Sequence, residues 1–367
     1  MKNKETATVT WITFNNFGTY LQAFALQKII KDLGYNNKII SDKKVLRLQK
    51  TSKELFIIYL KNIYHILKAL FIPEYKKFLN VSSFYKQFAI QYLDIDYNWE
   101  NAASLDTKYD MFICGSDQIW SPNNVFSPFY YLGFTNKKKI SYAPSMGTSD
   151  YPQEIVKLAK PYLDKISALS VRETQGCKIL KEKFDLDAKV VVDPTLLLEK
   201  KDWEEFVNKT RNDNYVLAYL LTYNTSYLNF IREFANAKGL PLKIFVVNDT
   251  RVCDIADESL FVGPKDFLDE IYNSTYFFTD SFHGTIFGIH FEKTFFTLKR
   301  FEDSMKLNQN IRITNLFDRL NLQEYFLSEK SLTNAYTLPN INYPEVKKQI
   351  SIDRDNSLNF LRTALNI

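Results

Sequence analysis

The sequence predicts an α/β protein made of two doubly wound domains that face each other across a cleft, with a helical insertion in the first domain. Short apolar runs typical of buried strands alternate with segments of helical periodicity along most of the chain. The alternation restarts near Asp193, where a second set of elements begins. The 367 residues, 46% of them hydrophobic, are enough for two cores.

The chain opens with a strand, a helix and a second strand. Thr8–Phe14 alternates and is β-branched, which predicts a strand. Apolar residues recur at every fourth position over Leu21–Leu33, and Gly34 suits the C-terminal cap of that helix. Lys38–Ile40 then predicts the next strand. This order implies a parallel sheet with a right-handed crossover.

The rest of the first domain combines an insertion with further strands. Residues 43–93 predict a helical insertion rich in aromatic residues and lysine. The later strands are predicted at Met111–Cys114, Lys139–Ala143, Ile166–Val171 and Val190–Val192, with a helix over Thr174–Phe184.

The second domain is expected to follow a boundary within residues 200–213. We therefore assign 1–205 to the first domain, 206–340 to the second and 341–367 to a C-terminal helix. Tyr215–Leu221 and Tyr276–Phe278 predict buried strands of the second domain, and Pro344 suits the first turn of the last helix.

Composition excludes several classes of protein. The net charge of +5 comes from 47 Lys and Arg interspersed with 42 Asp and Glu, without the basic stripe of a nucleic-acid-binding protein. Cys114, Cys177 and Cys253 are far apart, so neither a zinc site nor a disulfide framework is indicated, and we expect no metal site. Dinucleotide and P-loop glycine motifs are absent from the sequence.

Targeting signals are also not evident in the sequence. The first eight residues are polar, and no apolar run reaches the roughly eighteen residues of a membrane span. The nearest approach, Leu55–Ile72, is interrupted by Lys61, His65 and Lys68. We therefore expect a cytoplasmic protein.

The most specific local feature is the stretch Asp280–Ile286. It follows a predicted strand and opens a helix, so His283 is expected at the carboxyl end of a strand beside a helix N-terminus. Open α/β sheets bind ligands there, and a helix N-terminus favours anions. Since the chain has three histidines, His283 is a sharp candidate, the alternative being a histidine that ties down a turn.

Six short blocks occur in a characteristic order over about residues 8–320. They are Asn16–Gln27, Gly115–Trp120, Ser170–Glu173, Asp193–Leu197, Asp280–Gly284 and the looser Asn310–Ile313. Together they resemble the polysaccharide pyruvyl transferase family. The resemblance implies a glycosyltransferase-B-like arrangement of two Rossmann-like domains, with the acceptor on the N-terminal side and the donor on the C-terminal side.

The resemblance also implies a reaction. Phosphoenolpyruvate, as a co-substrate, condenses with two hydroxyls of a sugar and leaves a cyclic pyruvate ketal. The acceptor implied is a capsular or exopolysaccharide repeat unit on a polyprenyl diphosphate carrier, and no cofactor is expected. The sequence indicates no oligomeric state.

The donor carries a carboxylate and a phosphate, for which planar arginines are suited. Arg172 follows the predicted strand Ile166–Val171 and is expected to point into the cleft, the alternative being a surface ion pair with Glu173. Lys299 and Arg300 end a later strand and are candidate phosphate partners, although such pairs are commonly solvated.

One position departs from the family pattern. The best-studied branches have an arginine two positions before the motif histidine, where this chain has Ser281. Arg312 is expected to replace that cation, the alternative being an ion pair with Asp318 or Asp303. Gly284 is expected to let the backbone approach the donor.

The reaction requires an acid and a partner for the acceptor hydroxyl. His283 is the expected acid, because histidine can give up a proton near neutral pH. Asp117 is expected to deprotonate or orient the acceptor hydroxyl, the alternative being a turn cap.

The acceptor side is predicted from the first domain. The candidates are Asn16, Gly18, Gln118, Trp120 and Tyr142. Asn16 could instead shape a turn, and the aromatic residues could instead be core.

Two further functions stay open, a nucleotide-sugar-dependent glycosyltransferase of the same fold and a non-catalytic polysaccharide-assembly protein. The insertion raises a separate expectation. Leu55–Leu60 and Ile63–Leu67, with Lys61, Lys68 and the pair Lys76–Lys77, predict a helix that can lie on the inner face of the plasma membrane. The alternative is packing on the first domain or on a second subunit.

Overall fold

The computed structural model describes residues 4–48, 52–211, 213–301 and 308–367. The strands within them are β1 (Glu5–Val9), β2 (Asn36–Ile40), β3 (Ile95–Asp96), β4 (Met111–Cys114), β5 (Lys138–Ser141), β6 (Ser170–Val171), β7 (Lys189–Val190), β8 (Val216–Tyr219), β9 (Leu242–Phe245), β10 (Glu258–Leu260), β11 (Tyr276–Thr279), β12 (Thr294–Leu298) and β13 (Phe326–Leu327). The helices are α1 (Phe17–Asp32), α2 (Lys43–Leu48), α3 (Ser52–Phe71), α4 (Pro73–Tyr92), α5 (Ala102–Lys108), α6 (Gln153–Leu163), α7 (Thr174–Ile179), α8 (Lys200–Trp203), α9 (Thr225–Lys238), α10 (Pro264–Asn273), α11 (Phe282–His290), α12 (Ile311–Leu320) and α13 (Tyr343–Leu365).

Two parallel sheets organise these elements. The first has the order β3-β2-β1-β4-β5 and the second the order β10-β9-β8-β11-β12-β13. In each sheet the chain starts in the middle, builds outward to one side, and then returns to build the other side. The reversal lies between β1 and β4 in the first sheet and between β8 and β11 in the second. The predicted class, two doubly wound α/β domains, is confirmed.

Several predicted strand bounds were wrong, most clearly that of the first strand. The prediction Thr8–Phe14 started too late, because Thr6–Val9 pair with Met111–Cys114 of β4 and the chain leaves the sheet at Thr10. The alternating residues beyond Thr10 belong to a loop. The predicted Ile166–Val171 and Val190–Val192 shorten to β6 and β7, which form a separate two-stranded sheet.

The predicted insertion over 43–93 contains α2, α3 and α4. Pro73 at the first turn of α4 separates it from α3, and the two helices form a hairpin. Helix α4 buries Tyr75, Tyr85 and Phe88 and packs on α1 and α10. Residues 49–51, and the side chains of several α3 residues including Lys61, lie outside the described part.

Aromatic packing joins the two domains across α1. Phe17 stacks on Phe267 of α10 with ring centroids 4.4 Å apart, and it also contacts Tyr85, Tyr219 and Phe245. Since Phe17 begins α1, immediately after the first-domain loop, this cluster fixes that loop relative to the second sheet.

The last helix returns to the first domain. In α13, Ser357 accepts a hydrogen bond from the backbone of Val192 at 3.0 Å, and Arg354 donates to the carbonyl of Leu196 at 2.9 Å. The chain passes to the second large sheet between β7 and β8, but α13, which follows that sheet in sequence, packs back on the first domain. The division at residue 205 therefore stays a proposal. Among the described helices, none is both long and apolar enough to cross a membrane.

Candidate active site

The carboxyl ends of the strands that flank both reversals face each other. The loops after β1 and β4 extend from the first sheet, and those after β8 and β11 extend from the second. Between them lies a cavity of about 370 Å³. Parallel α/β sheets bind ligands at such reversal points, so this cavity is the candidate site.

Both domains line the cavity. The first domain contributes Trp11, Phe14, Asn16, Thr19, Asp117, Gln118 and Asn124. The second contributes Leu221, Asn248, Ser281, Phe282, His283, Arg300, Gln309 and Arg312. Seven residues predicted from the sequence therefore meet here, namely His283, Asp117, Asn16, Gln118, Ser281, Arg300 and Arg312.

Ser281 caps the helix that carries the histidine. Its hydroxyl accepts a hydrogen bond from the backbone of Gly284 at 3.3 Å, and its own backbone N–H donates to Thr279 Oγ1 at 3.1 Å. Gly284 is not among the residues that line the cavity, and its predicted donor role stays a prediction. A Cβ there would lie 2.4 Å from Thr279 Oγ1 and 3.1 Å from Tyr219. Glycine is needed for the close packing of α11 on its own sheet.

His283 is buried between a glycine and a carboxylate. Its Nε2 lies 3.5 Å from Asp193 Oδ2 and has no hydrogen-bond partner in the described chain. On its other side, a Cβ at Gly18 would lie 2.0 Å from His283 Nδ1. Gly18 therefore makes room for the imidazole.

Asp193 is a buried carboxylate that contacts residues of both domains. Its Oδ2 accepts hydrogen bonds from Arg172 Nη1 at 2.7 Å and Ser116 Oγ at 3.3 Å. Its Oδ1 accepts from the backbone and hydroxyl of Thr195 at 3.0 and 2.7 Å. Burial alone would raise the pKa of Asp193, but the positive charges of His283 and Arg172 and the Thr195 backbone hold it well below its usual range. Asp193 is therefore a buried anion.

Sequence reasoning missed Asp193 as a site residue. From the sequence, Asp193 was named only as the first residue of the block Asp193–Leu197. The signal that could have found it is its position just after β7, at the same carboxyl edge as the other loops.

Arg172 lies beneath the cavity and not on its wall. Its Nε donates to Glu173 Oε1 at 2.9 Å, its Nη1 binds Asp193, and its guanidinium packs 4.3 Å from the ring of Phe282. Burial favours the neutral form, but Glu173 and Asp193 raise its pKa above the usual value. Arg172 is not among the residues that line this cavity, but with Phe282 and Arg312 it lines a smaller neighbouring pocket. Its predicted role in donor binding stays a prediction. The alternative, a surface ion pair with Glu173, was wrong because both side chains are buried.

Arg312 is the buried cation that does face the cavity. It is 9% exposed and donates to the carbonyl and side chain of Gln309 at 3.3 and 3.0 Å. In the described ranges no carboxylate pairs with it. Asp318 binds Gln323 instead, and Asp303 lies outside those ranges. Burial and the nearby Arg172 lower the pKa of Arg312 to about 10, so it stays charged at neutral pH.

The two other predicted phosphate partners separate. Arg300 lies on the cavity wall, where its Nε donates to Thr222 Oγ1 at 2.9 Å. Lys299 is not on the wall, and its Nζ lies 5.6 Å from the ring centroid of Phe326. Successive residues of an extended chain point in opposite directions. Of these two residues, Arg300 is therefore the one that lies on the cavity wall.

Asp117 is both a turn residue and a wall residue. It has a φ of 65°, in the left-handed region that aspartate tolerates better than most residues. Its Oδ2 accepts from Thr19 Oγ1 at 2.8 Å and its Oδ1 from the backbone of Gln118 at 2.9 Å. These bonds fix the carboxylate at the edge of the cavity.

The predicted acceptor residues divide between wall and core. Asn16 lines the cavity and also caps α1, accepting from the Thr19 backbone at 3.2 Å. Trp120 and Tyr142 are fully buried and donate to the carbonyls of Tyr130 and Val192. Their predicted contact with the acceptor is not supported by this placement, because both side chains are satisfied within the core.

A different aromatic pair lines the first-domain side of the cavity. Trp11 and Phe14 lie there, with ring centroids 5.4 Å apart, and Phe14 is 46% exposed. The sequence assigned both to a strand, so the wall was missed. In the described segments no group of three His, Cys, Asp or Glu side chains is placed to hold a metal ion.

Comparisons with known proteins give a family and a fold. The pattern of the polysaccharide pyruvyl transferase family matches residues 16–300. No curated protein gives a significant sequence match.

Solved structures are similar over nearly the whole chain. The S. aureus MnaA–UDP co-structure has a TM-score of 0.53 and 10% identity, covering 99% of this chain and 97% of that one. A UDP-N-acetylglucosamine 2-epimerase has a TM-score of 0.53 and 12% identity, with coverages of 100% and 96%. The Methanocaldococcus jannaschii UDP-GlcNAc 2-epimerase in complex with UDP-GlcNAc and UDP has a TM-score of 0.50 and 11% identity, with coverages of 95% and 99%. These similarities show a glycosyltransferase-B-like fold.

Gly18→Ala tests the close packing of the His283 ring against Gly18. Alanine is ordinarily favoured over glycine within a helix, but here its Cβ would overlap the His283 ring. We expect the free energy of unfolding to fall by about 1–3 kcal/mol. In a His283→Ala background the same change should be neutral or stabilising. Chemical denaturation of the four proteins measures this, and equal costs in both backgrounds would contradict the packing.

Asp193→Asn tests the buried anion through pH. In the folded protein the pKa of Asp193 lies below the unfolded value of about 3.9. Its contribution to stability is therefore complete above that value and is lost progressively as the pH falls from there toward the lower folded pKa. The difference in free energy of unfolding between the wild type and Asp193→Asn should narrow, by up to about 1.4 kcal/mol per pH unit, on acidification from about pH 5 to about pH 3. A difference that stays constant would show that Asp193 carries no depressed pKa.

Proposed function

This chain belongs to the polysaccharide pyruvyl transferase family, and we propose that it transfers the pyruvyl group of phosphoenolpyruvate to two hydroxyls of a sugar. The sugar is part of a capsular or exopolysaccharide repeat unit on a polyprenyl diphosphate carrier, and the product is a cyclic ketal. One observation carries the proposal. Arg312 is a buried cation without a carboxylate partner in the described chain, and it lies on the same cavity wall as His283.

The donor is an anion at both ends, which suits this wall. Arg312 and Arg300 supply two guanidinium groups, and the N-terminus of α11 adds its free N–H groups and dipole. Arginine binds carboxylate and phosphate through paired hydrogen bonds. Arg312 thereby takes the place of the cation that other family branches carry at the position of Ser281.

His283 acts first as an acid. The proton on Nδ1 passes to the methylene carbon of the donor, the C–H bond forms, and the carbon bearing phosphate becomes an oxocarbenium ion. The first sugar hydroxyl then forms a C–O bond to that carbon and gives its proton to Asp117. Hydrogen bonds from Thr19 and Gln118 hold this carboxylate in place.

Loss of phosphate and ring closure complete the transfer. The C–O bond to phosphate breaks, the leaving phosphate takes the proton held by Asp117, and a second oxocarbenium ion forms. The second hydroxyl attacks it and returns a proton to His283. Phosphoenolpyruvate and a diol thus give a ketal and inorganic phosphate, with both side chains restored.

Asp193 serves as the positioning residue for this acid. Its carboxylate lies 3.5 Å from Nε2, so it orients the ring, and we assign the reacting proton to Nδ1. Arg172 and Thr195 hold Asp193 in turn. Arg172 therefore acts on catalysis through Asp193.

The first-domain wall suits a sugar. Phe14 and Trp11 offer aromatic faces to the C–H surface of a sugar ring, while Asn124 and Gln118 supply polar groups beside Asp117. This gives the acceptor to the first domain and the donor to the second.

Binding separates this function from nucleotide-sugar transfer. Phosphoenolpyruvate should raise the melting temperature in a thermal-shift assay, and UDP or UDP-sugars should not. With a glycolipid acceptor, phosphate should be released, and the acceptor should gain the mass of one pyruvate less one water. Stabilisation by UDP-sugars alone would favour a glycosyltransferase.

Arg312→Ala should raise the KM for phosphoenolpyruvate about ten- to a hundredfold, since a hydrogen bond to a charged group is worth about 1.5–3 kcal/mol. The KM for the acceptor should change little. Arg319→Ala, on the same helix, is the matched control. An unchanged KM for phosphoenolpyruvate in Arg312→Ala would remove this arginine from the donor site.

His283→Ala should abolish transfer while phosphoenolpyruvate still raises the melting temperature, because the arginines and not the imidazole hold the donor. Calorimetry and phosphate release measure the two effects. His290→Ala, a buried histidine that binds the carbonyl of Thr195, serves as the comparison. Near-normal turnover in His283→Ala would exclude it as the acid.

A further inference from the structure

Helix α3 presents an apolar face to solvent. Leu60, Ile63, Leu67 and Phe71 follow the spacing of a single helical side, and Leu70 lies beside Phe71 at the end of the helix. The two residues at the end of the helix are the most exposed, with 72% at Leu70 and 83% at Phe71, and the other three range from 37% to 52%. We call these five residues the apolar face of α3. Large apolar side chains grouped on one exposed surface mark a site of interaction.

Within the described residues, this face is left exposed to solvent. Helix α4 contacts α3, but it directs Tyr75, Tyr85 and Phe88 toward the body of the protein, where it packs on α1 and α10. The tip of the hairpin, where Phe71 meets Ile72, therefore projects with its apolar side chains outward.

Lysines border the apolar tip. Lys68 lies with its Nζ 4.5 Å from the ring centroid of Tyr75. Lys76 and Lys77 are exposed on the first turns of α4, and the half-buried Glu74 is the acidic residue among them. The tip thus combines an apolar end with a net positive rim.

The hairpin stands beside the candidate active site. Helix α4 contacts the turn over Thr250–Asp254, which follows the cavity residue Asn248. Near the tip, Lys77 Nζ lies 6.0 Å from the ring centroid of Phe261, which directly follows β10 at the carboxyl edge of the second sheet. The apolar tip and the second-domain rim of the cavity therefore share one side of the molecule.

We propose that the apolar face of α3 docks on a bilayer that contains anionic lipids. The apolar side chains enter the boundary between headgroups and acyl chains, and Lys68, Lys76 and Lys77 lie at the headgroups. If the acceptor is lipid-linked, as in the proposed function, docking brings the cavity to the surface that carries it.

A second copy of the chain is the competing occupant. In a symmetric dimer the same patch meets itself, so the lysine rim of one copy would approach that of the other. Like charges then oppose association, whereas anionic headgroups attract the same rim. The charge pattern favours the bilayer.

Vesicle co-sedimentation of the full chain tests the proposal. The protein should sediment with phosphatidylcholine vesicles that contain phosphatidylglycerol at low salt, and less with pure phosphatidylcholine or at high salt. The double change Leu67→Ser and Phe71→Ser should weaken binding at least about tenfold. Ile352→Ser, which alters an exposed apolar residue of α13, should leave binding unchanged.

Charge reversal supplies the second arm. Lys76→Glu with Lys77→Glu should reduce binding at low salt, and Lys157→Glu on α6 should not. Circular dichroism checks that each variant is folded. Light scattering follows the mass in solution. Absence of wild-type binding, or binding indifferent to Leu67 and Phe71, would overturn the proposal. So would a dimer that these changes dissociate without any vesicle binding. Since no arm measures transfer, failure here is distinct from failure of the proposed reaction.

Discussion

The buried carboxylate of Asp193 is the interaction on which the site depends. A charge without solvent must be compensated by partners, and here the partners come from separate parts of the chain. Ser116 belongs to the loop after β4, Arg172 follows β6, and His283 begins the first turn of α11. One anion therefore sets the spacing between the two domains at the cavity and the orientation of the imidazole. Loss of any partner would leave charge uncompensated in the interior.

Arg172 and Arg312 are both buried, but they differ in their hydrogen-bond partners. Arg172 and Arg312 both contact Phe282, with guanidinium carbons 4.3 and 5.8 Å from its ring centroid. Within the described residues Arg172 has two carboxylate partners, whereas the hydrogen bonds of Arg312 go to the side-chain oxygen and the carbonyl of Gln309. An incoming anion is therefore attracted more strongly to Arg312 than to Arg172, because carboxylates already neutralise the charge of Arg172.

Much of the fold could be predicted from the sequence, since buried parallel strands are short apolar runs that alternate with helices. The position of His283 followed from the same pattern. The direction of a side chain after a strand did not. Arg172 and Trp120 each follow a predicted strand, yet Arg172 binds Asp193 and Trp120 donates to the carbonyl of Tyr130, and neither lines the cavity. The position of Phe14 on the cavity wall was also missed, because the loop residues before it alternate between apolar and polar as a strand does.

Nuclear magnetic resonance of the histidine rings tests the central claim most directly. The chain has three histidines, so ring nitrogens labelled with nitrogen-15 can be assigned by comparing the wild type with His65→Ala and His290→Ala. If Asp193 orients His283, the neutral ring carries its proton on Nε2 and not on Nδ1. Asp193→Asn should abolish that preference. A neutral His283 protonated on Nδ1, or a spectrum unchanged in Asp193→Asn, would contradict the account.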